Sequence, residues 1–215
     1  MEKITIQHFI NKDLNPSVHK GVKKYPVYVQ VIVLRKNLRF KSNNTLFSYL
    51  SENELDIELV KNILQDEKDV IERIVRDLIR QEKRELITSK NISLYSQYLS
   101  DAIDDNFSKF LEKEQENTGC IVPNILLSAT YQDFQDVVFF YSSDMPFRQI
   151  SKNMDYCIEA INIIFNEALF GTYNVYDLFY GEKKERIELE MNMSNSSNHE
   201  ETNKMMLVLQ DLTML

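Results

Sequence analysis

Ser151–Gly181 reads SKNMDYCIEAINIIFNEALFGTYNVYDLFYG, and its periodicity decides how the rest of the chain is read. Met154, Cys157, Ile158, Ile161, Ile164, Phe165, Ala168 and Leu169 recur at three- and four-residue intervals, which places them along one side of a helix. Ser151 and Asn153 supply oxygens for an N-cap, and Gly171 stands where a C-terminal stop is expected. The apolar stripe is wide. The helix is therefore expected to be buried over most of its girth, as the central element of an all-α domain.

Further helical patterns precede it. Asn91–Glu116 carries Tyr95, Tyr98, Leu99, Ala102, Ile103, Phe107, Phe110 and Leu111 at helical spacing, an aromatic stripe read as core. Pro123 and Asn124 open another candidate helix through Ile125, Leu126 and Ala129. Phe134, Val137, Val138 and Tyr141 continue it before a break at Asp144-Met145-Pro146. Nearer the N-terminus, Ser51-Glu52-Asn53-Glu54 is a capping-box pattern. It precedes an apolar periodicity from Leu59 to about Arg84, with the polar interval Gln65–Asp69 as a candidate break. Arg73, Arg76, Arg80, Lys83 and Arg84 there alternate with Glu72, Asp77, Glu82 and Glu85, the pattern of a solvated, salt-bridged face.

The first 45 residues read as β. Lys3–Ile10 alternates Ile4, Ile6 and His8 against Thr5, Gln7 and Phe9, and Tyr25–Leu34 (YPVYVQVIVL) sets Val27, Val29, Val31 and Val33 on one side. Arg35-Lys36-Asn37 is the expected hairpin turn, with Asn37 taking a positive φ, and Leu38–Lys41 returns as a third strand. So small a meander needs something packed on one face. Beyond Gly181 the chain turns charged over Glu182–Glu190 and low-complexity over Asn192–Asn203, then ends in the apolar stretch Met205–Leu215. The expected organisation is α+β: a three-stranded module over 1–45, connecting helices over 46–87, a helical bundle over 88–181, and a disordered or irregular tail over 182–215.

Charge is unevenly spread. Residues 1–45 hold nine Lys and Arg against Glu2 and Asp13, a balance of +7, whereas the other 170 residues sum to −15 within a total of −8. That asymmetry describes a basic module on an acidic body and points the basic part at a polyanion. The two cysteines, Cys120 and Cys157, have no metal-ligand spacing and suggest a reducing compartment. No apolar run has the length of a membrane span and Met1-Glu2-Lys3 opens no signal-peptide pattern, so a cytoplasmic protein with no membrane partner is expected. P-loop, Rossmann and paired-histidine signatures are absent, and His8 and His19 stand at no ligand spacing, so no metal or cofactor is expected.

Two segments carry a family resemblance. Ile164-Phe165-Asn166-Glu167-Ala168, in a helix that opens at Ser151 and leads to the aromatic turn Tyr176-Asp177-Leu178-Phe179-Tyr180-Gly181, resembles the last helix of the SAM-like core-binding domain of Bacteroidetes-type phage and transposon integrases. These are tyrosine recombinases, whose corresponding turn contains a proline that is missing here. The order of polar loop, YPVYVQV strand, basic turn and returning strand resembles the arm-type DNA-binding module that opens the same integrases. The resemblance spans roughly residues 1–181 and implies a SAM-like bundle after the β module, binding double-stranded DNA in site-specific recombination. It also implies a full-length integrase as a possible protein partner.

The candidate DNA-binding residues are Lys20, Lys23, Lys24, Arg35, Lys36, Arg39 and Lys41 in the basic module, with Arg148 and Lys152 near the Ser151 helix N-terminus. Arg35 and Arg39, at the turn, are the candidates for base edges. No strand cleavage is expected. The family's chemistry uses a Tyr nucleophile with Arg, Lys and His around the phosphate, and none of His8, His19 and His199 has an Arg three residues on. One feature favours a different class: residues 88–181 carry five basic against thirteen acidic groups. The alternative is therefore a non-enzymatic protein-interaction module that uses the acidic bundle and the apolar C-terminal stretch.

Overall fold

The structure is a computed structural model and describes residues 2–118, 156, 157, 159–161, 163, 173–194 and 199–214. It is mixed α+β and falls into two compact units, Met1–Gln97 and Tyr98–Leu215.

The first unit is built on β3 (Val22–Val33), a twelve-residue strand that pairs antiparallel with β1 (Thr5–Ile10), β2 (Ser17–His19), β4 (Lys36–Lys41) and β5 (Tyr49–Leu50). The three-stranded meander is thus β1-β3-β4, extended by two short strands at the start of β3. Asn11 N–H donates to the Pro26 carbonyl (2.9 Å), and the ladder ends there because proline has no N–H to return. Alternation sends Val27, Val29, Val31 and Val33 to one face, where all four are buried. The hairpin turn differs from the expected one. Leu34 and Arg35 take positive φ (51° and 62°), while Asn37 lies in β4 opposite Ile32. A two-residue turn with both centres at positive φ matches the twist of the flanking strands, which a wider turn at 35–37 would splay.

What covers the valine face is α2 (Glu58–Arg80), entered through a short α1 (Glu52–Leu55) that opens on the Ser51/Glu54 capping box. Val60, Leu64, Ile71, Ile74, Val75 and Leu78 form its buried stripe. The break expected at Gln65–Asp69 does not occur. Gln65 donates to Asp69 one turn on (2.7 Å), and Glu67 faces inward as a polar anchor. Glu67 Oε2 is hydrogen-bonded to His8 Nε2 (2.8 Å) and accepts from Ser42 Oγ (2.5 Å), while Oε1 accepts from Asn43 N–H (2.7 Å). One carboxylate therefore ties the helix to β1 and to the chain leaving β4.

After a 3₁₀ turn at Arg84–Leu86, α3 (Ser89–Ser96) lies beside β4 and closes that edge. Arg39 N–H donates to Ser89 Oγ (3.2 Å), and Asn43 Nδ2 donates to the Ser93 carbonyl (2.6 Å). The single helix expected over Asn91–Glu116 is therefore two, α3 and α4 (Leu99–Thr118). Gln97 is extended, and beyond it Leu99 N–H bonds to the Tyr173 carbonyl (3.0 Å), so the chain is drawn out of the helix between them. The β module also runs past residue 45, since Tyr49–Leu50 pairs with Tyr25–Pro26.

In the second unit the core gathers Leu99, Ile103, Phe107, Phe110 and Leu111 of α4 against Cys157, Ala160 and Ile161. Cys157 and Ile161 are helical and fully buried, in keeping with the 151–181 periodicity. Met154, Ile158, Ile164, Phe165, Ala168 and Leu169, and with them the segment that carries the family resemblance, lie outside the described residues. So do Arg148, Lys152 and the candidate helix at 123–141. The aromatic turn is a short helix, α5 (Val175–Phe179), capped by Asn174 and stopped at Gly181, whose φ is +84°.

The expected tail is ordered where it is described. It forms α6 (Glu182–Ser194) and α7 (His199–Thr213), which place Ile187, Met191, Met205, Met206, Leu209 and Leu212 in the same core as α4. The polar residues between the apolar positions masked their helical spacing. Asn192 and Thr202 pair with each other (2.7 Å), joining the two helices.

Candidate nucleic-acid interface

The valines of β3 bury one face of the meander, so the opposite face is presented by the residues between them. Register fixes its layout in three cross-strand rows: Thr5, Ile32 and Asn37; then Gln7, Gln30 and Arg39; then Phe9, Tyr28 and Lys41. Two of these rows are locked by side-chain contacts. Gln7 Nε2 donates to Gln30 Oε1 (2.9 Å), and Gln30 Nε2 donates to Asn37 Oδ1 (2.8 Å), a chain of three amides across three strands. The Arg39 guanidinium stands 5.8 Å from the centre of the Phe9 ring, which in turn packs against Tyr28 at 6.0 Å. Lys41 Nζ lies 5.9 Å over the Tyr49 ring. Stacking of this kind holds the cations upright on the sheet at a stabilisation of about 0.5–1 kcal/mol each.

Chemically the face offers fixed amide donors and acceptors, an arginine fork, a lysine and two aromatic rings. Three strands at about 4.8 Å spacing span roughly 10 Å between the outer strand axes. That width suits the major groove of B-DNA, about 12 Å across.

The sequence-derived site residues divide into four groups. Arg39 and Lys41 belong to this face, and Arg35 is exposed at the positive-φ turn beside it. Lys20 and Lys23 are exposed on the β2–β3 hairpin, Lys20 in the turn and Lys23 opposite Val18. Lys24 and Lys36 are engaged within the protein. Lys24 Nζ pairs with Glu54 (2.7 Å), and Lys36 Nζ donates to the carbonyls of Arg84 (3.2 Å) and Ile87 (3.0 Å), latching the hairpin to the 3₁₀ turn that follows α2. Arg148 and Lys152 lie outside the described residues. On α2, Arg76 pairs with Glu72 and Arg80 with Asp77, in the manner of a salt-bridged face.

Gln7, Phe9, Tyr28, Gln30 and Asn37 are members of the site that a search for positive charge passes over. The signal for them was the alternation itself, which already set Thr5, Gln7 and Phe9 opposite the core-facing Ile6 and His8.

Charge follows the division into units. Met1–Gln97 holds seventeen Lys and Arg against thirteen Asp and Glu, and Tyr98–Leu215 holds eight against twenty. Among the described residues no group of three or more His, Cys, Asp and Glu could hold a metal ion, and no helix is long and apolar enough to cross a membrane. No family model, curated protein or solved structure matches the chain.

Proposed function

We propose that this chain binds duplex DNA through the exposed face of the β1-β3-β4 meander, as the DNA-binding portion of a recombinase-like protein of the integrase type. It acts in the cytoplasm and cuts no strand itself. The observation that carries the reading is the coincidence, on one exposed sheet face, of Arg39 and Lys41 with the hydrogen-bonded amide chain Gln7–Gln30–Asn37. Arginine pairs bidentately with guanine and the amides of Gln and Asn with adenine, so the face holds the side chains that major-groove readout uses. Arg35 at the turn and Lys20 and Lys23 on the second hairpin neutralise phosphates on either side.

The test is a set of binding titrations at several salt concentrations. The triple variant Arg35→Ala/Arg39→Ala/Lys41→Ala is expected to weaken binding and to lower the log–log salt slope by about 3. The variant Gln30→Ala/Asn37→Ala is expected to lose sequence preference while keeping the salt slope. Unchanged affinity in the triple variant, with the fold intact, transfers the function to the second reading, protein interaction. That reading is favoured by the acidic balance of the second unit and by the exposure of Leu207 on α7 and Met214 just beyond it. It no longer has a free apolar tail to use, because Met205, Met206, Leu209 and Leu212 are buried in the unit's core.

A further inference from the structure

The two outer strands of the meander are treated differently. β4 carries Lys36, Arg39 and Lys41, and its outward edge is covered by α3, where Ser89 receives the Arg39 N–H. β1 reads TIQHFI: six residues without Lys, Arg, Asp, Glu or Pro and paired without a bulge. Among the described residues nothing pairs with its outward edge. Odd-numbered residues face β3, as the Asn11–Pro26 bond shows, so Ile6, His8 and Ile10 turn their N–H and C=O groups outward. Soluble proteins blunt such an edge with charge, proline, a bulge or a covering element, because an open edge is a template for another strand. Among the described residues one edge has charge and a cover, and the other has neither.

We propose that the β1 edge is a homodimer interface, on which β1 of a second copy adds antiparallel about a two-fold axis at Gln7. In this register Ile6 of each copy exchanges backbone hydrogen bonds with His8 of the other, and Gln7 meets Gln7 across the seam. The same register brings Glu2 opposite Lys12 of the second copy at both ends, a complementary charge pattern. Because the outward-facing residues are the even-numbered ones, a shift of one in sum would set outward-facing groups against inward-facing ones; a shift of two sets Glu2 against Ile10 in one direction and Lys3 against Asp13 in the other. The central register faces Glu2 with Lys12 and leaves no like charges opposite each other. In the single chain Glu2 already meets Arg84 (3.4 Å) and Lys12 meets Glu52, so the ends of β1 sit among groups of both signs. The dimer joins two meanders into one six-stranded sheet with Thr5, Gln7 and Phe9 of both copies along its middle.

The experiment is sedimentation equilibrium of the full chain over a wide concentration range, without DNA, so that its outcome is independent of the proposed function. Wild type is expected to show a reversible monomer–dimer equilibrium. Gln7→Lys and Gln7→Glu should each weaken it roughly tenfold, since like charges then face each other at the axis. An equimolar mixture of the two variants should restore a dimer of one chain of each kind. Circular dichroism melts confirm that both variants are folded; Gln7 is exposed and contributes only its bond to Gln30. A strictly monomeric wild type overturns the proposal, as does a dimer indifferent to both substitutions.

Discussion

Leu34 and Arg35 carry the sharpest local conflict in the first unit. Both take positive φ, a region in which a side chain's Cβ crowds the backbone, yet neither is Gly, Asn or Asp. The hairpin demands that geometry because β3 and β4 are paired without offset from Val33–Lys36 onward. The sequence placed the turn one position late for the same reason: Asn37 is the residue with turn chemistry, and the actual turn residues have none. Leu34→Asn with Arg35→Gly is therefore expected to raise stability by about 1–2 kcal/mol, read as a higher midpoint in urea unfolding. A drop would mean that Leu34 contributes packing that outweighs the strain. Glu54 is a second residue with a measurable signature. The hydrogen bond from Lys24, then those from the Ser51 N–H and hydroxyl, hold its carboxyl down at about 2, from an ordinary 4.5. A depressed carboxyl stabilises fully above the unfolded value and loses that contribution as pH falls from about 4.5 towards 2. With allowance for its partial exposure, the contribution is about 1 kcal/mol. Wild type should exceed Glu54→Gln in stability at neutral pH, and the gap should close through that window.

α2 shows why a polar residue in a helical pattern cannot be ranked from sequence alone. Its apolar stripe was plain from Leu59 onward, and the need for a cover over Val27, Val29, Val31 and Val33 was plain from the strand. The Gln65–Asp69 interval looked like a break because Glu67 stands on the buried side of the wheel. Only the fold brings His8, Ser42 and Asn43 around it, from 59, 25 and 24 residues away. A buried carboxylate that satisfies three donors is destabilising to remove, since each donor then loses its partner in a site largely shielded from solvent. Glu67→Ala is expected to cost about 3 kcal/mol, with Glu67→Gln intermediate because its amide oxygen keeps some acceptor capacity. Denaturant melts of both variants check this; a cost under about 1 kcal/mol for Glu67→Ala would show that solvent replaces the carboxylate freely. The same blindness to long-range partners hid α6 and α7. Their helical spacing is diluted by Asn, Ser and Glu, and only the core formed by α4 gives Met191, Met205 and Leu209 a place to be buried.

At the scale of the molecule, the charge asymmetry and the α+β division were legible, because both are sums over many residues and survive errors at any one. The unit boundary was not. It falls at Gln97–Tyr98, inside an unbroken amphipathic pattern, and is set by a backbone bond from Leu99 to Tyr173 that no local signal announces. The boundary has a functional consequence. If DNA is bound by the meander face, binding belongs to the first unit and should be indifferent to damage confined to the core of the second. Phe107 is fully buried in that second core and lies on α4, in the unit that carries no residue of the proposed interface. Phe107→Ala should cost about 3–5 kcal/mol as a large-to-small core change, visible as an earlier unfolding transition. Its affinity for DNA, measured below that transition, should equal that of wild type, while Arg39→Ala should show native stability and weakened binding. The two variants thus separate fold from function in opposite directions. A Phe107→Ala protein that loses affinity as fully as Arg39→Ala would place the DNA contact, wholly or jointly, in the second unit, against its balance of eight basic to twenty acidic groups.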